Sequence, residues 1–540
     1  MVVIQEQHRI SFWQGVLHLL KGTVGVGMLG LAHAASKVDR TLGVVILAVV
    51  TVVSFLAWWM VWQCKVAAGG KRARTYGDLA ELSLGRAGRD LAEVSLLIFQ
   101  LAICAVYISF AATCLRALLP PAAAAALGAA TTNHTLVLLT MPLLLLLGTL
   151  RDLKVMTPLS LVAQASLVIA VGIVIAQCLQ YGDDHSHTPP PPPPGPKPPP
   201  LPALAPSLRG TVVFFGNCAF AVEGLSLVLP VENALTAAAQ PRFGAAIGLG
   251  LALVLALYMT MTELPLSMLG AVHSPSLPAE LAARARGGDG AASTPHHMVV
   301  DVCNVLFLAN ALLTLPLQFL PAAQVVDRWL WARASPAELR ARDAEGAERT
   351  SLLGGGAKGA RAAAAAEEQG GPAPADGLRR RSTSLEPERA ARAGDASEDG
   401  DSGSDAEDAK DAKDAGRTAP VPALFEVCCS HAPTARHLRR HPYARLYLLS
   451  LTAAVAVVVP DLGLLAALTG GLLGTVVCFV LPPIMYETIV PGQTAASRAG
   501  CRLMVAFGAA MGLSSTIGGL LALGEHWAEH GLSNAPRPVS

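Results

Sequence analysis

Two stretches of this chain carry residues whose types and spacing could do chemistry. The first is Lys21-Gly22-Thr23-Val24-Gly25-Val26-Gly27-Met28-Leu29-Gly30, inside an apolar run from about Ser11 to Ser36. Four glycines in nine residues each weaken a helix by about 1 kcal/mol relative to alanine. A helix that breaks inside a bilayer must bury its freed N–H and C=O groups in protein or turn them toward a cavity. The second stretch runs from Thr211 to Asn233 and brackets Asn217 and Glu223 between Gly216 and Gly224. A carboxylate at that depth is expensive and by default marks a path for an ion or a solute. The chemistry these residues suit is recognition and release of a small polar molecule, with a group able to take and give a proton.

Two simpler readings compete for the glycines. Gly25-x-Gly27-x-x-Gly30 matches the dinucleotide-binding fingerprint, which needs a preceding strand, a βαβ unit and an acid about 20 residues later. Here the context is one long apolar helix, and position 50 is Val50. Close helix packing also uses small residues. The second break, five spans further on, favours transport over packing alone, because an inverted five-plus-five repeat places its interruptions at spans one and six.

The elements that position these stretches follow from composition. The chain has 540 residues, 52% hydrophobic and 15% charged, with a mean hydropathy of +0.47. Apolar runs of about 20 residues, enough to cross a bilayer, recur along it. We read eleven spans, at about 11–36, 41–64, 91–118, 134–150, 157–180, 210–231, 243–271, 297–326, 443–459, 461–484 and 502–523. The first is too long and too broken by glycine for a cleaved signal peptide and is expected to be retained. A net charge of +1 gives no global attraction to nucleic acid. None of the ten cysteines has metal-site spacing, and most lie in apolar runs as small hydrophobes. No cofactor or metal is implied. Adjacent Cys428 and Cys429 offer a palmitoylation site or an inert pair.

Orientation follows from Lys and Arg in the short loops. Residues 65–90 hold Lys65, Lys71, Arg72, Arg74, Arg86 and Arg89; Arg151, Lys154 and Arg242 follow later even-numbered spans. The alternate loops are poorer, so the N-terminus is cytoplasmic and eleven spans put the C-terminus outside. Asn133 in Asn133-His134-Thr135 is then a candidate glycosylation acceptor on the outer side. The chain divides into helices one to eight over residues 1–328, with a Pro-rich outer loop at 181–208 that favours polyproline II. A disordered cytoplasmic insert follows at 329–440, then helices nine to eleven over 441–523 and a tail at 524–540. Within the insert, Ser382 follows three arginines as a phosphorylation candidate. Glu348 with Leu352 and Leu353 resembles an acidic di-leucine sorting signal, which tips localisation toward a vacuolar or lysosomal membrane over the plasma membrane.

Several motifs, taken together, make the chain similar to a known family. His18-Leu19-Leu20-Lys21-Gly22 leads into Gly25-x-Gly27-x-Leu29-Gly30-Leu31, with Tyr76-Gly77-Asp78 and Gln100 with Val106-Tyr107 following. The sixth span carries Phe214-Phe215-Gly216, Glu223-Gly224 and Val228-Leu229-Pro230-x-Glu232-Asn233. Pro316-Leu317-Gln318-Phe319, Pro460-x-Leu462-Gly463 and Leu481-Pro482-Pro483 come after. Their order and spacing resemble the amino acid/auxin permease family, and within it the proton-coupled amino-acid transporters. The seventh span departs from the family pattern with Glu263-Leu264-Pro265, the outer loops lack a cysteine pair, and the long insert is additional.

The resemblance implies an all-α integral membrane protein of LeuT-like fold, with two inverted repeats of five helices, one extra helix, and breaks in helices 1 and 6. On that fold the helix half after the first break points its amides at a cavity, which suits a substrate carboxylate. Thr23, Val24, Gly25, Val26 and Gly27 are the candidates, mainly through backbone. Carbonyls near Phe220 and Ala221 would accept from the substrate ammonium, and Phe220 would close over its side chain or simply pack. For proton coupling the candidates are His18, where the family places a functional histidine, Glu223 within the sixth-span break, and Glu263. A fixed interfacial histidine and a fixed acceptor are the plain alternatives for His18 and Glu223. Lys21 is expected to pair or to reach a polar cavity.

The partners implied are an amino acid, protons with sodium not excluded, and the lipid bilayer. The reading is secondary active transport of small amino acids. The alternative is a nutrient-sensing transceptor that signals through 329–440 with little flux. No nucleophile elbow, metal cluster or phosphate loop points to an enzyme, and no ring of like charge or carbonyl filter points to a channel.

Overall fold

A computed structural model describes residues 9–69, 75–120, 133–148, 153–184, 204–287, 294–334, 442–459 and 461–530, with residues 73, 123 and 126 isolated between them. Ser382, Glu348, Leu352, Leu353, Cys428 and Cys429 lie outside the described residues. So do the side chain of Asn133 and most of the Pro-rich loop. Two compact units divide the chain, Met1–Arg328 with Val421–Ser540, and Trp329–Pro420. The first contains the helix bundle.

The described elements are helical, apart from an isolated bridge between Ile10 and Leu235. In chain order they are α1 (Phe12–Thr23), a 3-10 turn (Val26–Gly30) leading into α2 (Leu31–Ala35), α3 (Arg40–Ala67), α4 (Tyr76–Leu118), α5 (Asn133–Gly148) and α6 (Leu153–Asp184). Next come α7 (Leu204–Ala221), α8 (Leu225–Ala234), α9 (Phe243–Met268), α10 (Leu277–Gly287) and α11 (Thr294–Ala334). The last are α12 (Pro442–Val458), α13 (Leu462–Leu468), π-helical turns at Thr469–Gly474 and Val476–Val480, α14 (Leu481–Ile489) and α15 (Ala495–His530). Eight helical spans are long and apolar enough to cross a bilayer. The bent pair of α1 with the 3-10 turn and α2 makes a ninth, and Thr135–Gly148 and Tyr443–Val458 are shorter apolar helices. Each span read from hydropathy has a helical counterpart.

Caps set where these helices begin. Ser11 and Gln14 exchange bonds in a capping box at α1, Ser11 N–H to Gln14 Oε1 at 2.8 Å and Gln14 N–H to Ser11 Oγ at 3.4 Å. Thr75 and Asp78 do the same for α4, at 3.0 and 3.2 Å. Asp39 and Asp461 cap α3 and α13 through the amides of Leu42 and Leu464. Within α4, Gly85 has φ +71°, a left-handed conformation that suits glycine, and it separates a short leading helix from the span itself. Pro265 does not end the seventh span: α9 continues to Met268.

The core is a single apolar cluster with Trp58, Tyr258, Phe99, Phe110, Phe214, Phe215 and Phe243 among its fully buried large side chains. Leu138, Leu139, Val168, Leu503 and Leu513 are exposed on other helices, as lipid-facing positions should be. Small residues bring α7 against the π-helical turns. A Cβ on Gly470 would stand 2.1 Å from the Gly216 carbonyl and 2.5 Å from the Phe220 amide.

Candidate functional site

The first break begins where α1 stops at Thr23. Val24 is extended, with its N–H still donating to the Leu20 carbonyl at 2.9 Å. Gly25 follows, also extended, and the chain turns by 49° into the 3-10 turn. The amides that open this turn have no preceding helical carbonyls to bond. The second break is Val222-Glu223-Gly224, between α7 and α8. Thr23 and Ala221 are thus the last residues of two interrupted half-helices.

The fold presses these breaks together. A Cβ on Gly27 would lie 3.0 Å from Ala221 Cα and 3.1 Å from Phe220 Cδ1. A Cβ on Gly224 would meet Thr23 Oγ1 at 2.6 Å and the Trp58 ring at 2.7 Å. At Gly25 the obstacle is the Tyr107 hydroxyl, 2.8 Å away. A side chain at Gly224 would force its neighbours to move, and at Gly27 and Gly25 the Ala221 backbone, the Phe220 ring and the Tyr107 hydroxyl would have to give way.

Of the sequence candidates, Thr23, Val24, Gly25, Val26, Gly27, Phe220, Ala221 and Glu223 gather at this junction. Thr23 is buried and its hydroxyl donates to the Leu19 carbonyl at 2.9 Å. Phe220 and Ala221 are buried, and both of their carbonyls have partners: the Glu223 N–H at 3.3 Å and the Tyr258 hydroxyl at 2.8 Å. The expectation of free carbonyls at these two residues is not met: the turn into the break occupies the one on Phe220. Tertiary contact with α9 occupies the one on Ala221. The Glu223 carboxylate is half-buried and receives a long bond, 3.4 Å, from the Ser226 hydroxyl.

His18 lies within α1, half-buried and close to Lys21. The Lys21 ammonium donates to Ser160 Oγ on α6 at 3.0 Å, so it reaches a polar side chain rather than an acid. Glu263 is held away from the breaks, where Arg40 Nε donates to it at 2.6 Å and Arg40 also bonds Ser267 at 2.5 Å.

Three features escaped the sequence reading. Tyr258, fully buried in α9, points its hydroxyl at the Thr23 carbonyl (2.9 Å) as well as the Ala221 carbonyl. Its signal was a phenol inside an apolar run, since a buried tyrosine hydroxyl needs a partner. Gln100 Nε2 donates to Gln318 Oε1 at 2.7 Å, joining α4 to α11, and Tyr107 faces Gln318 and the backbone of Val26. These residues were visible as motifs without a role. The first π-helical turn packs against α7 at Gly216 and Phe220, and in the second the Val477 carbonyl accepts from the Tyr76 hydroxyl at 2.8 Å. Among the described residues, no cluster of three or more His, Cys, Asp or Glu could hold a metal.

A family model described as transmembrane amino acid transporter protein matches residues 8–522. The chain is similar to the amino acid transporter AVT3A of Arabidopsis thaliana, 28% identical over 317 residues, a match covering 57% of this chain and 66% of that protein. It is also similar to AVT3B of the same plant, 22% identical over 318 residues and covering 57% of this chain and 70% of the relative. The match to AVT3A therefore spans just under two thirds of its length. Among solved structures, a mutant of the Eremococcus coleocola manganese transporter aligns with 99% of this chain and 93% of its own, at 12% identity and a TM-score of 0.41.

Proposed function

From the premise that this chain belongs to the transmembrane amino acid transporter protein family, we propose that it moves small neutral amino acids across a membrane by secondary active transport coupled to protons. Its fold is LeuT-like, with eleven spans formed by the nine long or bent ones and the two shorter apolar helices. The N-terminus is cytoplasmic, and the di-leucine signal at Glu348, Leu352 and Leu353 favours a vacuolar or lysosomal membrane.

One observation carries this reading: the two helix breaks abut, Gly27 against Ala221 and Gly224 against Thr23. Backbone freed in a bilayer is tolerated where protein or a cavity receives it, and two such breaks in contact make a polar site at the membrane midplane. The amides of Gly25, Val26 and Gly27, flanked by Thr23 and Val24, receive the substrate carboxylate. The ammonium lies toward Phe220 and Ala221, with the Phe220 ring over the substrate side chain.

Among the titratable candidates His18, Glu223 and Glu263, only Glu223 lies within a break. A carboxylate there carries a proton at lower cost than a charge, so proton and substrate load together on one side and leave on the other. The family is one of membrane transporters, and no catalytic step is assigned to these residues.

The test is uptake of labelled L-alanine, glycine and L-proline into proteoliposomes, with and without an inward proton gradient, for wild type and Glu223→Gln. Gradient-driven uptake that the substitution abolishes is the expected result. Uptake indifferent to both gradient and substitution rejects proton coupling through Glu223. No uptake by folded protein rejects transport and leaves the sensing role of 329–440 in its place.

A further inference from the structure

Tyr258 sits in the middle of α9 with no solvent exposure. A hydroxyl buried there costs free energy unless it is hydrogen-bonded. Its partners are two carbonyls far apart in sequence, on Thr23 at 2.9 Å and Ala221 at 2.8 Å. Both close interrupted half-helices, so neither carbonyl has a following turn of helix to bond. A phenol has a single proton to donate. One proton facing two acceptors at these distances is a three-centre bond, and it stays short only while the two carbonyls stay close together.

The geometry points to Tyr258 as a positioning residue that holds the two helix breaks at one spacing and thereby sets substrate affinity. This rests on the transport reading above for its functional half. Moving one half-helix away leaves its carbonyl unpaired in a low-dielectric interior, which penalises separation of the breaks. The room for only a hydrogen at Gly27, where a Cβ would lie 3.0 Å from Ala221 Cα, depends on the same spacing. A substrate that touches both breaks then finds its two sets of backbone groups already arranged, which lowers the cost of binding.

Tyr258→Phe removes the hydroxyl and keeps the ring, so the packing of α9 is retained. Tyr447→Phe, on an exposed side chain of α12, is the control. The first measurement is amide hydrogen exchange in nanodiscs without substrate. Faster exchange at both Gly25–Gly27 and Val222–Leu225 in Tyr258→Phe alone is expected, and unchanged exchange at either break overturns the positioning role. The second is L-alanine uptake into proteoliposomes. KM should rise by about tenfold while the maximal rate stays within about twofold, the loss expected for one well-placed hydrogen bond. If exchange quickens but KM does not move, the link to affinity is wrong. A wild type without uptake defeats the transport reading, while the exchange measurement still decides whether Tyr258 holds the breaks. If Tyr258→Phe is folded but inactive, L-alanine-induced thermal stabilisation decides: its loss supports the proposal and its retention overturns it.

Discussion

Lys65 and Glu232 form an ion pair sealed inside the bundle, with side chains only 5% and 8% exposed. Lys65 lies in the last turn of α3 and Glu232 near the end of α8, and the same ammonium also donates to Asn233. The pair therefore fastens the second half of the broken sixth span to an intact neighbour. Close by, Ile10 exchanges backbone bonds with Ala234 and Thr236, at 2.9 and 3.0 Å, tying the start of the first span to the same place.

Removing one partner of this pair strands the other charge away from water. Lys65→Met is expected to destabilise the protein by about 3–5 kcal/mol. The double change Lys65→Met with Glu232→Leu should recover most of that loss, because no unpaired charge remains. Thermal melting in detergent compares the three proteins. A double variant as unstable as the single one would show that charge burial is not the cause.

The glycines divide into those that admit a neighbour and those that do not. Gly27→Ala drives a methyl toward the backbone of Ala221, and Gly470→Ala drives one toward the Gly216 carbonyl. Overpacking of this kind costs about 1–3 kcal/mol. Uptake should fall in Gly27→Ala, whose methyl separates the two breaks. Gly172 has nothing within 4 Å of its would-be Cβ, so Gly172→Ala should match or slightly exceed wild-type stability, by up to about 1 kcal/mol from helix propensity.

Glu280 organises the loop between α9 and α10 outside the spans. Its carboxylate accepts from Arg284 at 2.8 Å and from the amides of Ser274 (2.7 Å) and His273 (3.0 Å). Arg284 in turn bonds the carbonyls of Leu269 and Ala271. Burial opposes the charge, but Arg284 and the two amides outweigh it and hold this carboxyl below the usual glutamate range. A lowered folded-state value stabilises the loop above the ordinary glutamate pKa of about 4.3, and the contribution is lost as pH falls below that. Hydrogen exchange at His273 and Ser274 should stay slow from about pH 7 to pH 5 and quicken, after correction for intrinsic rates, below about pH 4. Glu280→Gln should be fast throughout; a variant that keeps the wild-type profile would assign the dependence to another group.

Glu263 should behave as half of a surface pair. Arg40 and Glu263 are 58% and 25% exposed, and pairs of this kind contribute about 0–1 kcal/mol. Glu263→Gln is expected to leave proton-driven uptake in place and the melting temperature almost unchanged. Loss of gradient dependence in that variant would move coupling from the sixth-span break to the end of α9.

Both breaks were legible in the sequence because a bilayer restricts what can interrupt a helix. Gly25, Gly27 and Gly224 announce backbone that leaves the helix, and Glu223 announces a polar purpose at that depth. The partners of Lys21 were not legible. Its ammonium meets Ser160, 139 residues on, and an isolated serine in an apolar span gives no sign of what it faces. The π-helical turns after α13 were hidden for a related reason: Thr469-Gly470-Gly471 is compatible with an ordinary helix, and close contact with α7 and α15 surrounds the widened one.

By itself the sequence determined that the chain is a series of apolar helices and where two of them break, because bilayer thickness and backbone hydrogen bonding act on each segment locally. Only the tertiary structure decided that the failures meet, and that one phenol serves both. Tyr258 lies 235 residues from Thr23 and 37 from Ala221. An apolar helix face packs against many partners, so its pattern states that it is buried without stating against what. The choice is made by the shapes of the other helices, through contacts such as Gly27 on Ala221, which exist only once the whole bundle has formed.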